Sequence, residues 1–240
     1  MLELKNIYWS TPEGRSIISD VSLSIPERGL TVITGPNGGG KTTLAKIIAG
    51  IEKPERGKIF FSGEDITELG VTERARKGIS YAFQQPVRFK GITVRDLLEI
   101  ASGDKLSEKD LCALLSKVGL CARDYVDREV NSSLSGGEIK RVEIASVLAR
   151  NAKLTIFDEP EAGIDLWSFS GLIEAFQEIK QSDRAELIIS HQERILGVAD
   201  RIVVIENGKV AEEGERDEIL PHLVASSKCP ACPTPTIRRA

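Results

Sequence analysis

Hydrophobic and polar positions alternate along the first quarter of the chain. Leu2 and Leu4, then Ile7 and Trp9 after a short break, mark one half-buried strand, and Val21, Leu23 and Ile25 mark another. The turn Pro26-Glu27-Arg28-Gly29 leads into an apolar run, Leu30-Thr31-Val32-Ile33-Thr34, which predicts a buried strand. Leu44, Ile47 and Ile48 then fall at helical spacing. Lys58–Phe61 predicts a further strand closed by Ser62-Gly63, and Ile79–Phe83 another that ends at Gln84-Gln85-Pro86.

After Pro86 the period changes. Thr93-Val94-Arg95-Asp96 has the form of a capping box and starts a helix with Leu97, Leu98 and Ile100. Ser107-Glu108-Lys109-Asp110 starts a second, with Leu111, Leu114, Leu115 and Val118 on one face and Gly119 as its stop. Strand–helix alternation then returns: a short strand at Leu154–Phe157, a helix from about 166 to 180, and strands at Leu187–Ile189 and Ile202–Ile205. Asn207-Gly208 signals a hairpin leading to Val210.

Such alternation predicts an α/β fold with a mostly parallel sheet covered on both faces. We expect a P-loop (RecA-like) core, an antiparallel β portion, and an inserted α-helical subdomain. Residues 1–85 and 134–225 form the expected core and residues 86–133 the helical subdomain. Residues 226–240 read as a flexible tail, with Pro230, Pro233 and Pro235 and little apolar content.

Composition narrows the function classes. The 240 residues are 41% hydrophobic and 28% charged, with a net charge of -4. No basic excess marks a nucleic-acid or anionic-membrane surface. The most basic stretch, Arg74-Ala75-Arg76-Lys77, reads as a solvated helix end. No apolar run reaches the roughly 18 residues of a membrane span. The strand-like Met1–Lys5 carries no signal peptide. We therefore expect a cytoplasmic protein. Four cysteines do not make a disulfide framework, and Cys112 and Cys121 read as packing residues.

The most specific segment is Gly35-Pro36-Asn37-Gly38-Gly39-Gly40-Lys41-Thr42-Thr43, which fits the phosphate-binding pattern G-x-x-x-x-G-K-[ST] between a strand and a helix. Glycines let the backbone approach a polyphosphate and aim several N–H groups at it, and the helix N-terminus adds positive potential. Lys41 would reach the terminal phosphates, and Thr42 would hold Mg²⁺ through its hydroxyl. A glycine turn capping an ordinary helix explains less of the pattern.

Two acids, Asp158 and Glu159, follow the strand at Leu154–Phe157, where open α/β sheets place ligands. Asp158 could bind Mg²⁺ through its water shell, and Glu159 could orient or deprotonate an attacking water. An acidic surface turn is the plainer alternative. Leu134-Ser135-Gly136-Gly137-Glu138 opens a long helix. Ser135 and Glu138 form a capping box, which helix initiation alone would explain. Gly136 and Gly137 need another reason, because glycine costs about 1 kcal/mol inside a helix. Bare N–H groups at a helix start suit a second anion.

Taken in order, Gly35–Thr43, Gln84 after an apolar strand, Leu134–Glu138, Phe157-Asp158-Glu159, Gly163-Ile164-Asp165 and Ser190-His191 resemble the ATP-binding cassette (ABC) ATPases over roughly residues 1 to 220. The resemblance implies ATP hydrolysis by a head-to-tail, ATP-dependent homodimer. Each ATP would lie between the P-loop of one copy and Ser135, Gly136 and Gly137 of the other. Gln84 would contact the Mg²⁺ and water, Asp165 would couple the two sites, and His191 would contact the γ-phosphate. The helical subdomain would dock a partner. Singly, Gln84 could be a polar strand end, Asp165 an N-cap and His191 a capping or core histidine. The resemblance implies an adenine-stacking aromatic shortly before the second strand; here that position falls near Thr11-Pro12, with Trp9 and Tyr8 as the nearby aromatics, and the parity of Trp9 with Ile7 equally suits a core role. Ala162 and Gly163 replace the more usual serine and alanine, and Glu138 replaces a common glutamine.

Within the family, Ala82–Val87, Asp158–Asp165, Ser190–Leu196 and the Ser135–Glu138 segment look like SufC, the ATPase of the Suf iron–sulfur assembly system. That implies a SufB/SufD-like scaffold as partner. The ATP-binding subunit of a membrane transporter is the alternative. Cys229 and Cys232, two residues apart in the tail, could supply half of a zinc or iron–sulfur site, or be incidental thiols.

Overall fold

The computed structural model describes residues 1–85, 88–131, 134–180 and 183–227, with the backbone alone at 166–168, 179, 226 and 227. Pro86, Val87 and the tail bearing Cys229 and Cys232 lie outside the described residues.

The first half of the chain runs β1 (Leu2–Ser10), β2 (Ser16–Ile25), β3 (Gly29–Thr34), α1 (Lys41–Ala49), β4 (Arg56–Phe61), β5 (Glu64–Asp65), α2 (Val71–Lys77) and β6 (Ile79–Ala82). Three helices follow, α3 (Val94–Ser102), α4 (Glu108–Lys117) and α5 (Ala122–Tyr125). The rest is α6 (Gly136–Ala149), β7 (Leu154–Asp158), α7 (Leu166–Lys180), β8 (Ala185–Ile189), α8 (Glu193–Leu196), β9 (Arg201–Glu206), β10 (Lys209–Glu215) and α9 (Arg216–Ser227).

Two sheets form. The smaller is antiparallel, in the order β2-β1-β4-β5. The break after Leu4 is a register shift between Leu4 and Ile7, where Asn6 takes a φ of 51°. It lets β1 run on as one strand. The larger sheet has the order β10-β9-β3-β8-β7-β6, parallel throughout except for β10 at its edge. The fold is thus the expected P-loop α/β core with an antiparallel portion and inserted helices.

Alternation along the large sheet divides the core. Ile33, Ile156 and Ile189 face α1, whose Leu44, Ile47 and Ile48 also meet Leu2, Leu4 and Ile18 of the small sheet. Leu30, Val32, Phe157 and Ile188 face the other way, toward Leu98, Leu115, Val142 and Phe176 of α3, α4, α6 and α7. Full burial of such side chains contributes about 1.5–3 kcal/mol each. The α1 helix is therefore clamped between two sheets, which fixes the loop at its N-terminus. The capping signals act locally: Thr93 Oγ1 accepts the Asp96 N–H at 3.1 Å, and Ser107 Oγ accepts that of Asp110 at 3.2 Å.

Three expectations change. Arg74 is no solvated residue, at 1% exposure. Its guanidinium donates to the carbonyls of Ile47, Ile48, Thr67 and Leu69, so it caps the C-terminus of α1, where carbonyls lack partners. Cys112 and Cys121 are exposed, while Leu111 and Leu115 carry the packing of α4. Strand β6 ends at Ala82, and Phe83 lies 45% exposed.

Candidate nucleotide-binding and hydrolysis site

The ends of β3, β6, β7 and β8 bring the polar segments of the chain to one edge of the sheet. Glycine is required in the loop after β3. Gly35 has a φ of 134°, and a Cβ there would sit 2.1 Å from the carbonyl oxygen of Ile205. Gly40, at 104°, would press a Cβ onto Ile18 and Ile17. The backbone therefore passes tightly between β9 and β2 and opens α1 at Lys41 with its N–H groups free of side-chain caps.

Lys41 is 5% exposed and donates to Gly35 O at 2.8 Å and Pro36 O at 2.9 Å. Burial holds its ammonium below the ordinary lysine range, against the pull of Glu159 and Asp158. The ammonium thus lies folded over its own loop, in reach of any phosphate the loop cradles.

Thr42 Oγ1 donates to Asp158 Oδ1 at 3.0 Å, and Tyr81 donates from its hydroxyl to Asp158 Oδ2 at 2.8 Å. Burial pushes the Asp158 carboxyl up; these two hydrogen bonds pull it down, and Glu159 pushes it up further. A hydroxyl and a carboxylate converging on one point are hard oxygen donors, and this set fits Mg²⁺. Gln84 is turned toward the neighbouring acid: its Nε2 donates to Glu159 Oε2 at 2.5 Å. Glu159 takes a left-handed φ of 45°, a strain of about 1–3 kcal/mol for a non-glycine residue. Its N–H continues the ladder to Ile189 O, which holds the bend.

A cavity of about 320 Å³ is lined by Trp9, Thr11, Ile17, Asn37, Gly38, Gly40, Lys41, Thr42, Thr43 and Glu159. Trp9 is both partly packed on the core and part of this wall. His191 follows β8, is exposed, and lines a different cavity with Thr34 and Gly35. Its neighbour Ser190 is buried and donates to Glu161 Oε1 at 2.5 Å.

Ser135, Gly136, Gly137 and Asp165 do not line the P-loop cavity. Ser135 caps α6 by accepting the Glu138 N–H at 3.2 Å, and Glu138 accepts the Ser135 N–H at 2.6 Å. Tyr125 also donates to Glu138 at 2.5 Å, so this acid is spent on holding the turn. Ser135 and Gly136 are exposed, and a Cβ on Gly136 would meet nothing within 4 Å. The helix start is open to a bulky group from outside. Asp165 directly precedes α7, and its carbonyl accepts the Phe169 N–H.

Three functional neighbours escape sequence reasoning. Lys140, fully buried on α6, donates to the carbonyls of Phe83 and Gln84 and pairs with Glu143 at 3.0 Å. Glu143 also accepts the Phe83 N–H at 3.1 Å. Together they bolt the Gln84 loop to the helix that Ser135 caps. The signal was faint: a lysine and a glutamate three apart on a helix face that is otherwise apolar. Tyr81 gives none, since a tyrosine in a strand is ordinary. Among the described residues no group of three or more His, Cys, Asp and Glu could hold a metal ion.

The profile of the ABC transporter family matches residues 18–162. The chain belongs to this family. It is accordingly an ATPase, using ATP with Mg²⁺. It is 39% identical over 213 residues, 85% of each chain, to an uncharacterized ABC transporter ATP-binding protein of Methanocaldococcus jannaschii. It is 32% identical to the probable ATP-dependent transporter ycf16 of Cyanophora paradoxa, over 89% of this chain and 88% of the relative. It is likewise 32% identical to the probable branched-chain amino acid transport ATP-binding protein LivG of Archaeoglobus fulgidus, over 87% of each. Among solved structures, a nucleotide-free ATP-binding cassette from an ABC transporter superposes with a TM-score of 0.80 at 28% identity, over 95% of this chain and 96% of that one. A dimeric cassette in a post-hydrolysis state, bound to ADP and Pi, superposes with a TM-score of 0.79 at 23% identity, over 90% and 99%.

Proposed function

We propose that this ATPase works as a head-to-tail pair of chains and drives a membrane-embedded partner, as the ATP-binding subunit of a transporter. The observation that carries the pairing is the split of its site: the P-loop, Trp9 and Glu159 share one cavity, while Ser135 and Gly136 face outward, open. A second copy would bring its Ser135, Gly136, Gly137 and Asp165 over the γ-phosphate. The dimeric form of a cassette with the same fold supports this arrangement. The names of the ABC relatives support a transporter partner over a scaffold.

In this reading the backbone of Gly35–Thr43, including Pro36, Asn37, Gly38, Gly39 and Gly40, cradles the phosphates, and Lys41 moves from Gly35 O and Pro36 O to the terminal oxygens. Trp9 stacks on adenine at the cavity wall. Thr42, Asp158 and Gln84 would hold Mg²⁺, which would supply positive charge to the transferred phosphoryl group. Glu159 activates the water, His191 contacts the γ-phosphate, and Asp165 links the paired sites. A groove of about 160 Å³ lined by Phe83, Phe89, Leu97 and Val130 receives the partner, between the core and the helices of 86–133. No helix among the described residues is long and apolar enough to cross a membrane, so the membrane part would lie on the partner. The subunit would work at the cytoplasmic face.

A SufB/SufD-like scaffold is the second reading. The segments Asp158–Asp165 and Ser190–Leu196 favour it, with Glu138 in the Ser135–Glu138 segment. In that case Cys229 and Cys232 could complete a zinc or iron–sulfur site with the scaffold. Capture with the Glu159→Gln protein and ATP, from native membrane and soluble fractions in parallel, separates the two. We expect a membrane permease. Recovery of a soluble scaffold alone overturns the transporter reading in favour of the second.

A further inference from the structure

Asp158 is held by two hydroxyls, one on each carboxylate oxygen. Thr42 binds Oδ1, and Tyr81 binds Oδ2. Register explains how the second reaches. Tyr81 pairs with Ile156 across β6 and β7, so Asp158, two residues on, is its diagonal neighbour on the same face of the sheet. That face looks toward α1, where Thr42 sits.

The ring of Tyr81 is fixed in turn. It meets Phe83 edge to face, with centroids 5.0 Å apart at 84°. Phe83 is pinned at both ends of its peptide, its N–H by Glu143 and its carbonyl by Lys140. Both Tyr81 and Phe83 line the apolar groove beside α6. An unbroken chain of contacts therefore runs from the groove, through Phe83 and Tyr81, to Oδ2 of Asp158.

We propose that Tyr81 is a positioning residue for the hydrolytic site. Its hydroxyl turns the Asp158 carboxylate so that Oδ1 stays with Thr42, and its ring makes that orientation depend on Phe83 in the groove. The proposal rests on the reading of Asp158 as the group that holds Mg²⁺. Outer-shell hydrogen bonds of this kind orient a ligand, and their loss typically costs 10–100-fold in metal affinity.

The test uses Tyr81→Phe, which removes one oxygen and keeps the ring, and Tyr81→Met as a second hydroxyl-free variant, both checked by thermal unfolding. Binding of a fluorescent ATP analogue is titrated against Mg²⁺, alongside hydrolysis. We expect half-saturating Mg²⁺ to rise about tenfold in both assays for both variants. Binding in EDTA, and KM for ATP at saturating Mg²⁺, should stay as in the parent protein. A shift in melting temperature or in kcat with an unchanged Mg²⁺ dependence marks a merely structural tyrosine and overturns the proposal. Asp158→Asn run in parallel separates the two layers. If it shifts the Mg²⁺ dependence while Tyr81→Phe does not, only the role of Tyr81 fails. If it shifts nothing, the metal reading fails and takes the proposal with it.

Discussion

Gln84 and Glu159 lie side chain to side chain, with Nε2 of the first 2.5 Å from Oε2 of the second. The contact joins the loop after β6 to the end of β7 across 75 positions of sequence. It holds the carboxylate that stands at the mouth of the P-loop cavity. Glu159→Gln keeps the size and polarity of that group but removes its basicity. We expect ATP binding within about twofold of the parent and a fall in kcat of about 10²–10⁴, the range for loss of a general base. Equilibrium binding and a phosphate-release assay measure both; undiminished turnover would remove Glu159 from the chemistry.

The split site makes a mixing experiment decisive. Lys41→Ala spoils the P-loop half, and Gly136→Asp puts a carboxylate on the exposed start of α6, where it repels the γ-phosphate. Each variant alone should be inactive. In a head-to-tail pair of the two, one site gathers both lesions and the other gathers none. A mixture should therefore recover roughly a quarter of parental ATPase activity if chains pair at random. A mixture as inactive as its components would show that each chain is self-sufficient or does not pair.

Lys140 and Glu143 suggest how the loop of Gln84 is kept in place. Lys140→Met leaves the carbonyls of Phe83 and Gln84 without their donor and strands Glu143, whose carboxyl burial already pushes up. Breaking a buried pair by removing one partner costs about 3–5 kcal/mol. We expect faster amide exchange in residues 83–85, a lower unfolding midpoint and reduced kcat with little change in ATP affinity. Lys140→Met with Glu143→Gln should recover part of the stability, since it removes the uncompensated charge. Equal exchange in parent and variant would refute the anchoring role.

Arg74 sets a stability prediction away from the site. Its guanidinium serves four carbonyls, two of them at the end of α1. Arg74→Ala takes this donor from the carbonyls of Ile48, Thr67 and Leu69 and leaves Ile47 O with the Gly50 N–H at 3.2 Å, at about 1–3 kcal/mol for each buried group left unsatisfied. We expect a total loss of about 3–5 kcal/mol, because water entry relieves some of them. Urea unfolding measures it, and a loss below about 1 kcal/mol would contradict the capping role.

What could be read from the sequence was what its residues determine among near neighbours. The P-loop spans nine contiguous residues, and the caps at Thr93, Ser107 and Ser135 close within three. The run Leu154–Phe157 announces its burial by composition alone, and the strand ends then bring Thr42, Gln84, Asp158 and Glu159 together. The rest depends on partners far away in sequence. Lys140 meets a carbonyl 57 residues off, Tyr81 an acid 77 off, and Arg74 the end of a helix 27 off. Lys140 and Arg74 are charged residues that a composition rule sends to the surface, and only the tertiary fold supplies the acceptors that let them be buried; Tyr81 is ordinary in a strand, and only the fold gives its hydroxyl a partner. Cys112 errs the other way: its neighbours are core residues, but helix α4 turns it outward.

Glu186 is a buried acid of β8. It sits in the middle of the large sheet, between Leu30 on β3 and Thr155 on β7, at 2% exposure. Its Oε2 makes no hydrogen bond among the described residues. Burial drives its carboxyl from 4.5 up to about 8, with Arg184 opposing weakly. Below about pH 4.5 the group is protonated whether the chain is folded or not, and it carries no penalty. Between there and pH 8 the folded chain keeps a proton that the unfolded chain releases, so stability falls as pH rises. Above pH 8 the full cost is present, up to about 5 kcal/mol at 1.36 kcal/mol per pH unit. Glu186→Gln keeps the shape and cannot ionise. It should therefore match the parent below about pH 4, exceed it increasingly up to about pH 8 with a constant margin above that, and remove most of this slope. Urea midpoints at half-unit steps of pH, taken for both proteins, give the comparison; parallel profiles would mean that Glu186 is ionised and satisfied in the folded chain.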